Sequence, residues 1–194
     1  MANHGRQLIS RPHVLGIDDA PFRKGRDQSV PIVGIVMEGP DLIEAVAVAT
    51  FAVDGDDAAG FLSTWVRGLR AYGSIQAILL GGITIAGLGV VDLDKLAEVV
   101  SRPVVAVTRR NPADSELRRA LRAAGLTERL ELLDRSPAAI EAAPGLFVAG
   151  SGLSPAEAVA LVRRTLRKSR LPEPLRVAHM VAGALATGQS RGRV

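Results

Sequence analysis

The chain has 194 residues, of which 47% are hydrophobic and 23% are charged, and its formal net charge is +4. This composition excludes a disordered or fibrous protein, and the length predicts one domain with a sizeable core. Because the chain has no cysteine, any metal must be held by oxygen or imidazole ligands. The sequence shows no signal-peptide pattern and no apolar segment of roughly 18 residues, which predicts a soluble, cytoplasmic protein without a membrane partner.

The first part of the chain predicts three strands in an antiparallel arrangement. Residues 1–12 are expected to form a flexible N-terminus, and residues 13–18 and 31–38 are short apolar runs typical of buried strands. A basic connection at 21–29 lies between them. Residues 42–53 are rich in valine and alanine, which predicts a third strand.

An acidic turn follows the third strand. Asp54, Asp56 and Asp57 are interpreted mainly as caps for a helix that ends near Gly73, because side-chain oxygens accept hydrogen bonds from free N–H groups in the first turn. A second interpretation is that one of these carboxylates joins a metal cluster.

The middle of the chain alternates strands and helices. A buried strand at 75–80 leads into the glycine-rich loop 81–89, interpreted as a tight crossover to a helix that starts at Asp92. The loop matches neither a Walker A motif nor GxGxxG, so binding of a small phosphate ligand is the least favoured function. Further strands are predicted at 103–108, 130–133 and 146–149, and a further helix from Asp114 or Ser115 to Gly125.

Two helices are predicted for the C-terminal quarter. A capping box with proline in the first turn, at 154–157, starts a helix through Arg167. The last helix begins at Pro172 and ends at Gly188, before a basic tail at 188–194. Leading strands followed by alternating strands and helices predict an α/β fold with a mixed sheet flanked by helices.

Positive charge is concentrated near the C-terminus. Residues 151–194 hold 8 of the 24 Lys and Arg side chains but only 2 of the 20 Asp and Glu side chains. Such an excess attracts phosphate backbones and predicts contact with nucleic acid, whereas the competing interpretation is a solvated helix face. The candidate nucleic-acid contacts are Arg163, Arg167, Arg176 and Arg191.

Two acidic residues end the first predicted strand. Asp18 and Asp19 lie where an open α/β sheet presents ligand-binding groups. Clustered carboxylates suit Mg²⁺, which takes oxygen ligands and retains water for the hydrolysis of a phosphodiester. The alternative is an ordinary surface turn.

The last predicted helix carries three polar residues at a spacing of three. Glu173, Arg176 and His179 share one helical face and are interpreted as groups that converge on a phosphate: a metal ligand, a cation and a proton carrier. In the alternative interpretation, His179 bonds to the core and the other two form a salt bridge.

Five segments together resemble the endonuclease dU family, from about residue 13 to residue 193. They are HVLGIDDAPF, TFAVDGDDA, ILLGGITIAGLGVVDL, PVVAVTRRNP and PEPLRVAHMVAGALATGQSRGR. The resemblance implies a single RNase H-like, endonuclease V-like domain over residues 1–194. It also implies a Mg²⁺- or Mn²⁺-dependent endonuclease that acts in DNA repair on DNA containing deoxyuridine, the product of cytosine deamination.

The resemblance also implies roles for particular residues. Asp18 matches the metal ligand of the first strand, with Asp19 beside it, and His179 matches the late histidine of endonuclease V. Gly81 stands where an acidic residue is expected on the fourth strand, so Asp57 or its neighbour Asp56, together with Glu173, are the remaining candidates to complete the metal site with Asp18. A noncatalytic nucleic-acid-binding protein on the same scaffold is the alternative, and the sequence is compatible with a homo-oligomer.

Overall fold

The computed structural model describes residues 11–109 and 115–190, which form nine strands and six α-helices. The strands are β1 (His13–Asp19), β2 (Ser29–Glu38), β3 (Leu42–Ala52), β4 (Ala77–Leu80), β5 (Thr84–Ile85), β6 (Gly89–Val90), β7 (Val104–Thr108), β8 (Ile140–Ala143) and β9 (Leu146–Ser151). The helices are α1 (Ala58–Arg67), α2 (Leu93–Val100), α3 (Glu116–Ala123), α4 (Leu130–Arg135), α5 (Pro155–Thr165) and α6 (Glu173–Thr187). A 3₁₀ turn, Thr127–Arg129, precedes α4.

Seven strands form one mixed sheet in the order β3-β2-β1-β4-β7-β9-β8. The three central strands β1, β4 and β7 are parallel, and antiparallel strands extend the sheet on both sides. β5 and β6 form a separate small hairpin. The predicted mixed α/β sheet flanked by helices is therefore confirmed.

Side chains alternate between two faces of the sheet, as the pleat of a strand requires. On β1, Leu15 and Ile17 pack against α1 and α2, whereas Val14 faces the opposite side with residues of α5. On β2, Val33 and Ile35 lie under α6. Helices thus cover both faces, and β1 lies at the centre of the core.

The segment 130–133 was predicted as a strand, which is wrong: it belongs to α4. Leu126, Leu130 and Leu133 recur at intervals of four and three, which is the helical period, and they pack around the fully buried Leu121. Other boundaries differ as well. The hairpin of β5 and β6 occupies the glycine-rich loop, α5 ends at Thr165 rather than Arg167, and α1 ends at Arg67, where Gly68 rather than Gly73 caps it.

The two ends of the chain are described only in part. Residues 1–10 of the expected flexible segment and residues 191–194 of the basic tail lie outside the described residues, but Pro12 is buried and Arg11 pairs with Glu38 at 3.0 Å. Gly188 closes α6 in the left-handed conformation, as predicted. Across residues 11–109 and 115–190, every helix is too short or too polar to cross a bilayer.

Candidate active site

Helix α6 lies directly on the backbone of β1. A Cβ atom at Gly16 would come within 2.6 Å of the carbonyl oxygen of Pro174, a distance that real Cβ atoms do not reach. Glycine at this position therefore allows the first turn of α6 to sit against the strand. From there α6 extends along β1 and places His179 beside Asp18.

Asp18 and His179 form a hydrogen-bonded pair at the end of the central strand. His179 Nδ1 lies 2.8 Å from Asp18 Oδ2, and the Asp18 side chain is only 15% exposed, whereas His179 is 57% exposed. The hydrogen bond to the carboxylate and its negative charge raise the pKa of His179 above its ordinary value, against the effect of burial and of the nearby Arg109. The pair couples a shielded carboxylate to a solvent-accessible imidazole.

Gly81 follows β4 and lies beside Asp18. A Cβ atom at Gly81 would lie 2.6 Å from Asp18 Oδ1. The Gly81 N–H donates to the carbonyl of Ile17 at 3.0 Å, which fixes this close approach. The position where an acidic residue was expected thus provides the space that the Asp18 carboxylate occupies.

Asp19 points to the opposite face of the sheet. Its Oδ2 accepts a hydrogen bond from the Ala86 N–H at 3.0 Å, at the tip of the β5–β6 hairpin. Burial, and next the charge of Asp18, raise the pKa of Asp19 to about 6. Asp18 and Asp19 are therefore adjacent in sequence, but Asp18 contacts helix α6 and Asp19 contacts the β5–β6 hairpin.

The hairpin tip is held in place by polar contacts that are buried or partly buried. Ala86 and Gly87 both have positive φ, which is typical of a tight hairpin turn. Asp54 accepts from the Leu88 N–H at 2.8 Å, and its own N–H donates to the Ala86 carbonyl at 2.9 Å. Arg129 is 5% exposed and donates to the carbonyls of Leu88 and Asp54 at 2.7 and 2.9 Å, so it fastens the hairpin to the acidic turn before α1.

Two of the predicted polar residues of α6 do not reach Asp18. Glu173 is 4% exposed and accepts from Arg176 at 2.8 and 2.7 Å, and Arg176 also contacts Met180 Sδ. The salt-bridge interpretation therefore holds for this pair. His179 instead contacts the Asp18 carboxylate, and convergence of the three side chains on a phosphate stays a prediction.

The carboxylates proposed as a metal cluster lie apart. Asp57 caps α1 by accepting from the Gly60 N–H at 3.1 Å, and it pairs with Lys95 at 2.7 Å, which lowers its pKa. Within the described ranges, Asp18, Asp57 and Glu173 do not bring three ligand atoms within 4.8 Å of one another. Asp57 and Glu173 thus do not join Asp18, because each forms an ion pair elsewhere, with Lys95 and Arg176 respectively.

The predicted phosphate-binding arginines also have other contacts. Arg163 donates to the carbonyl of Ala142 on β8, which is four strands, or about 19 Å, from β1. Arg167 lies 3.4 Å from Asp41 in the turn after β2, at the end of the sheet opposite to Asp18. Arg191 lies outside the described residues. Arg163 therefore lies at the same end of the sheet as Asp18 but four strands to the side, and Arg167 lies at the opposite end.

Arg109 was missed as a site residue. It follows β7, and its positive charge is close enough to lower the pKa of His179. Because β1, β4 and β7 are parallel, residues that follow them lie at one end of the sheet. The arginine after the strand Val104–Thr108 was therefore detectable from the same rule that singled out Asp18.

Comparisons with known proteins agree on one family. The profile of the family described as endonuclease dU matches residues 10–186. A UPF0215 protein of Methanothermobacter thermautotrophicus is 36% identical over 197 residues, which cover 99% of this chain and 97% of the relative.

Solved structures show the same fold. A protein of unknown function from Archaeoglobus fulgidus superposes with a TM-score of 0.82 and 31% identity, covering 90% of this chain and 98% of the other. Endonuclease V of Ciona intestinalis, solved with a DNA 24mer containing inosine, gives a TM-score of 0.54 at 15% identity, covering 87% and 82%. The second likeness shows the fold alone.

Proposed function

The chain belongs to the endonuclease dU family, and from this premise we propose that it is a divalent-metal-dependent endonuclease that cleaves DNA at deoxyuridine. The observation that carries the proposal is the Asp18–His179 pair at the end of β1. It joins a carboxylate and a proton carrier at the switch point of an endonuclease V-like sheet. Cleavage of the DNA strand at a deaminated base would make this a repair activity in the cytoplasm.

The donor set at the end of β1 fits a hard divalent cation. Asp18 supplies carboxylate oxygens: its Oδ1 accepts from the Asp19 N–H at 3.0 Å, and its Oδ2 lies beside His179 Nδ1. Mg²⁺ commonly binds through one or two carboxylates and keeps several waters. Asp18 would hold Mg²⁺ or Mn²⁺ through a single carboxylate, because the Asp19 side chain points to the other face of the sheet, and the ion would supply Lewis-acid activation at a phosphodiester.

His179 is suited to move a proton. Its Nδ1 is bound to the Asp18 carboxylate, so the hydrogen bond favours the tautomer with the proton on Nδ1. Nε2 is then the acceptor, and the imidazole is more than half exposed. This ring can take a proton from an attacking water or give one to a leaving oxygen.

Arg109 is suited to bind a backbone phosphate next to His179. It is exposed at the same end of the sheet, and guanidinium groups pair with phosphate oxygens in bidentate fashion. In Arg109→Ala, binding of DNA should weaken similarly for all sequences, and the slope of log affinity against log salt should fall by about one. An unchanged salt slope would remove Arg109 from the interface.

The reaction itself is tested with labelled duplexes that contain one deoxyuridine, one deoxyinosine or neither. Each is incubated with Mg²⁺, with Mn²⁺ or with chelator. Nicking at deoxyuridine that depends on the ion is expected, and Asp18→Asn should lower it by on the order of 100-fold or more because metal activation contributes several kcal/mol. Asp134→Asn, an exposed carboxylate paired with Arg118, is the matched control and should cleave normally.

A noncatalytic DNA-binding protein is the second candidate, and Gly81 favours it. Glycine at this position leaves Asp18 without the acidic neighbour expected on β4. Under this alternative, the duplexes bind with steep salt dependence but remain intact with either ion. Full cleavage by Asp18→Asn would contradict the metal-ligand role while leaving the fold assignment untouched.

A further inference from the structure

β3 is a long edge strand that is open on its outer side. Its 11 residues pair with β2 on one side, and among residues 11–109 and 115–190 no strand pairs with the other. Backbone N–H and C=O groups along such an edge can form a ladder with another strand.

The opposite edge of the sheet is protected. β8 has only four residues, its register is irregular between Glu141 and Ala143, and Arg163 donates two hydrogen bonds to the Ala142 carbonyl. Short length, irregularity and a covering cation are the devices that prevent edge pairing. β3 contains no lysine, arginine or proline, and its single charged residue is Glu44. Its register with β2 shifts at Glu44, so residues 45–52 form the regular stretch of this edge.

β3 also exposes apolar side chains in regular alternation. Val46 and Val48 are 56% and 51% exposed. They pair with Ile35 and Val33, which are fully buried beneath α6, so the two valines lie on the same face of the sheet just beyond the helix. Exposed β-branched residues on an open edge favour strand pairing over solvent.

We propose that β3 pairs with β3 of a second copy of this chain in an antiparallel, two-fold symmetric ribbon centred on Ala47. In this register, Val46 lies opposite Val48 of the second copy, and the reverse pair repeats across the axis. Both valine pairs thereby bury apolar surface against each other. The interface is isologous, as expected for a homodimer.

Electrostatics are compatible with this register. Glu44 stands at the irregularity that ends the regular stretch and lies near Thr50 of the second copy, so the two glutamates are about 20 Å apart along the ribbon. That separation exceeds the Debye length of about 8 Å at physiological salt. Glu44 is also paired with His13 Nδ1 at 2.7 Å within its own chain.

A cysteine at the proposed axis tests the register directly. The chain has no cysteine of its own, and residues facing each other across an antiparallel ribbon have Cα atoms about 4.5–5.5 Å apart, which suits a disulfide. Mild oxidation should convert most of Ala47→Cys into a linked dimer. Val99→Cys, at a 40% exposed valine on α2, should stay largely unlinked under the same conditions.

Sedimentation equilibrium provides a second measurement. The unmodified protein at tens of micromolar should have twice the mass of one chain. The double variant Val46→Lys with Val48→Lys should halve it, whereas Val99→Lys should not. If the far-ultraviolet circular dichroism shows that the two lysines disturb the fold, cross-linking of Ala47→Cys is the measurement that tests the dimer.

Three results would overturn the proposal. The first is a monomeric unmodified protein. The second is a dimer that survives both lysines, and the third is a lack of preferential cross-linking at position 47. None of these results depends on nuclease activity, since mass and cross-linking are measured without substrate.

Discussion

Gly81 and Asp18 lie side by side at the ends of β4 and β1, and a Cβ atom on Gly81 would come within 2.6 Å of Asp18 Oδ1. The carboxylate therefore fills the space that any other residue at position 81 would need. Since Asp18 Oδ2 is bound to His179, displacing the carboxylate also breaks the geometry of the pair. The glycine at the expected acidic position and the Asp18–His179 pair are thus parts of one arrangement.

Gly81→Ala should lower the cleavage rate at deoxyuridine while leaving the fold intact. The added methyl group moves the carboxylate by a fraction of an ångström to an ångström, and displacements of this size cost up to about 100-fold in rate. Cleavage assays and Mg²⁺ titration measure the effect. Gly73→Ala is the control, because a Cβ atom there meets nothing within 4 Å. Equal rates for both variants would show that the Gly81 contact has no catalytic consequence.

Asp19 should make the stability of the metal-free protein depend on pH. Its pKa is raised to about 6, mainly by burial, so the protonated carboxyl is the form that the fold favours. The resulting stability is complete below the pKa of the unfolded chain, near 4, and is lost as pH rises through about 6. Up to about 3 kcal/mol is expected over this window.

Urea unfolding in chelator between pH 4 and 7 measures this dependence. Asp19→Asn should flatten it, and saturating Mg²⁺ should reduce it, since a cation favours the ionised carboxylate. The raised pKa of His179 also lowers stability with increasing pH, but only above its ordinary value near 6.5. A curve for Asp19→Asn that retains the full slope between pH 4 and 6 would contradict the assignment to Asp19.

The sequence located the strand end at Asp18, but it did not predict which side chains pack beside that carboxylate. Apolar runs and turn residues determine where strands stop, so Asp18 and Asp19 could be located. The contact of Asp18 with His179 spans 161 positions and depends on α6 sitting against Gly16.

Ion pairs that occupy a candidate metal ligand are equally hard to predict from a sequence. Asp57 and Glu173 have suitable chemistry for a metal, but Lys95 and Arg176 occupy them, and these pairings depend on how helices pack. The mostly buried Arg129 was not singled out either, because its acceptors are backbone carbonyls, which have no signature in a sequence.

Arg129→Lys should loosen the β5–β6 hairpin. A lysine offers a point charge and cannot reproduce the forked contacts to Leu88 and Asp54, so at least one buried carbonyl loses its partner at a cost of about 1–3 kcal/mol. Hydrogen exchange at residues 83–91 should accelerate, with smaller changes in β1 and β4. Arg118→Lys, on an exposed ion pair with Asp134, is the control and should leave exchange in the hairpin unchanged.

Gly16→Ala should destabilise the whole protein, because the added Cβ atom meets the backbone of Pro174 and cannot be relieved by a change of rotamer. Overpacking of this kind typically costs about 1–3 kcal/mol. Gly183→Ala, near the C-terminal end of the same helix, meets only Ser190 at ordinary distances and should instead stabilise by about 0.5–1 kcal/mol, since alanine favours helix. Urea unfolding of the two variants compares their stabilities.

Because α6 carries His179, the Gly16→Ala variant should also show a His179 pKa closer to the ordinary value in an NMR titration. The reason is that the hydrogen bond to Asp18 lengthens as the helix moves away from β1. A variant with unchanged stability and unchanged His179 titration would show that α6 is positioned by contacts other than Gly16.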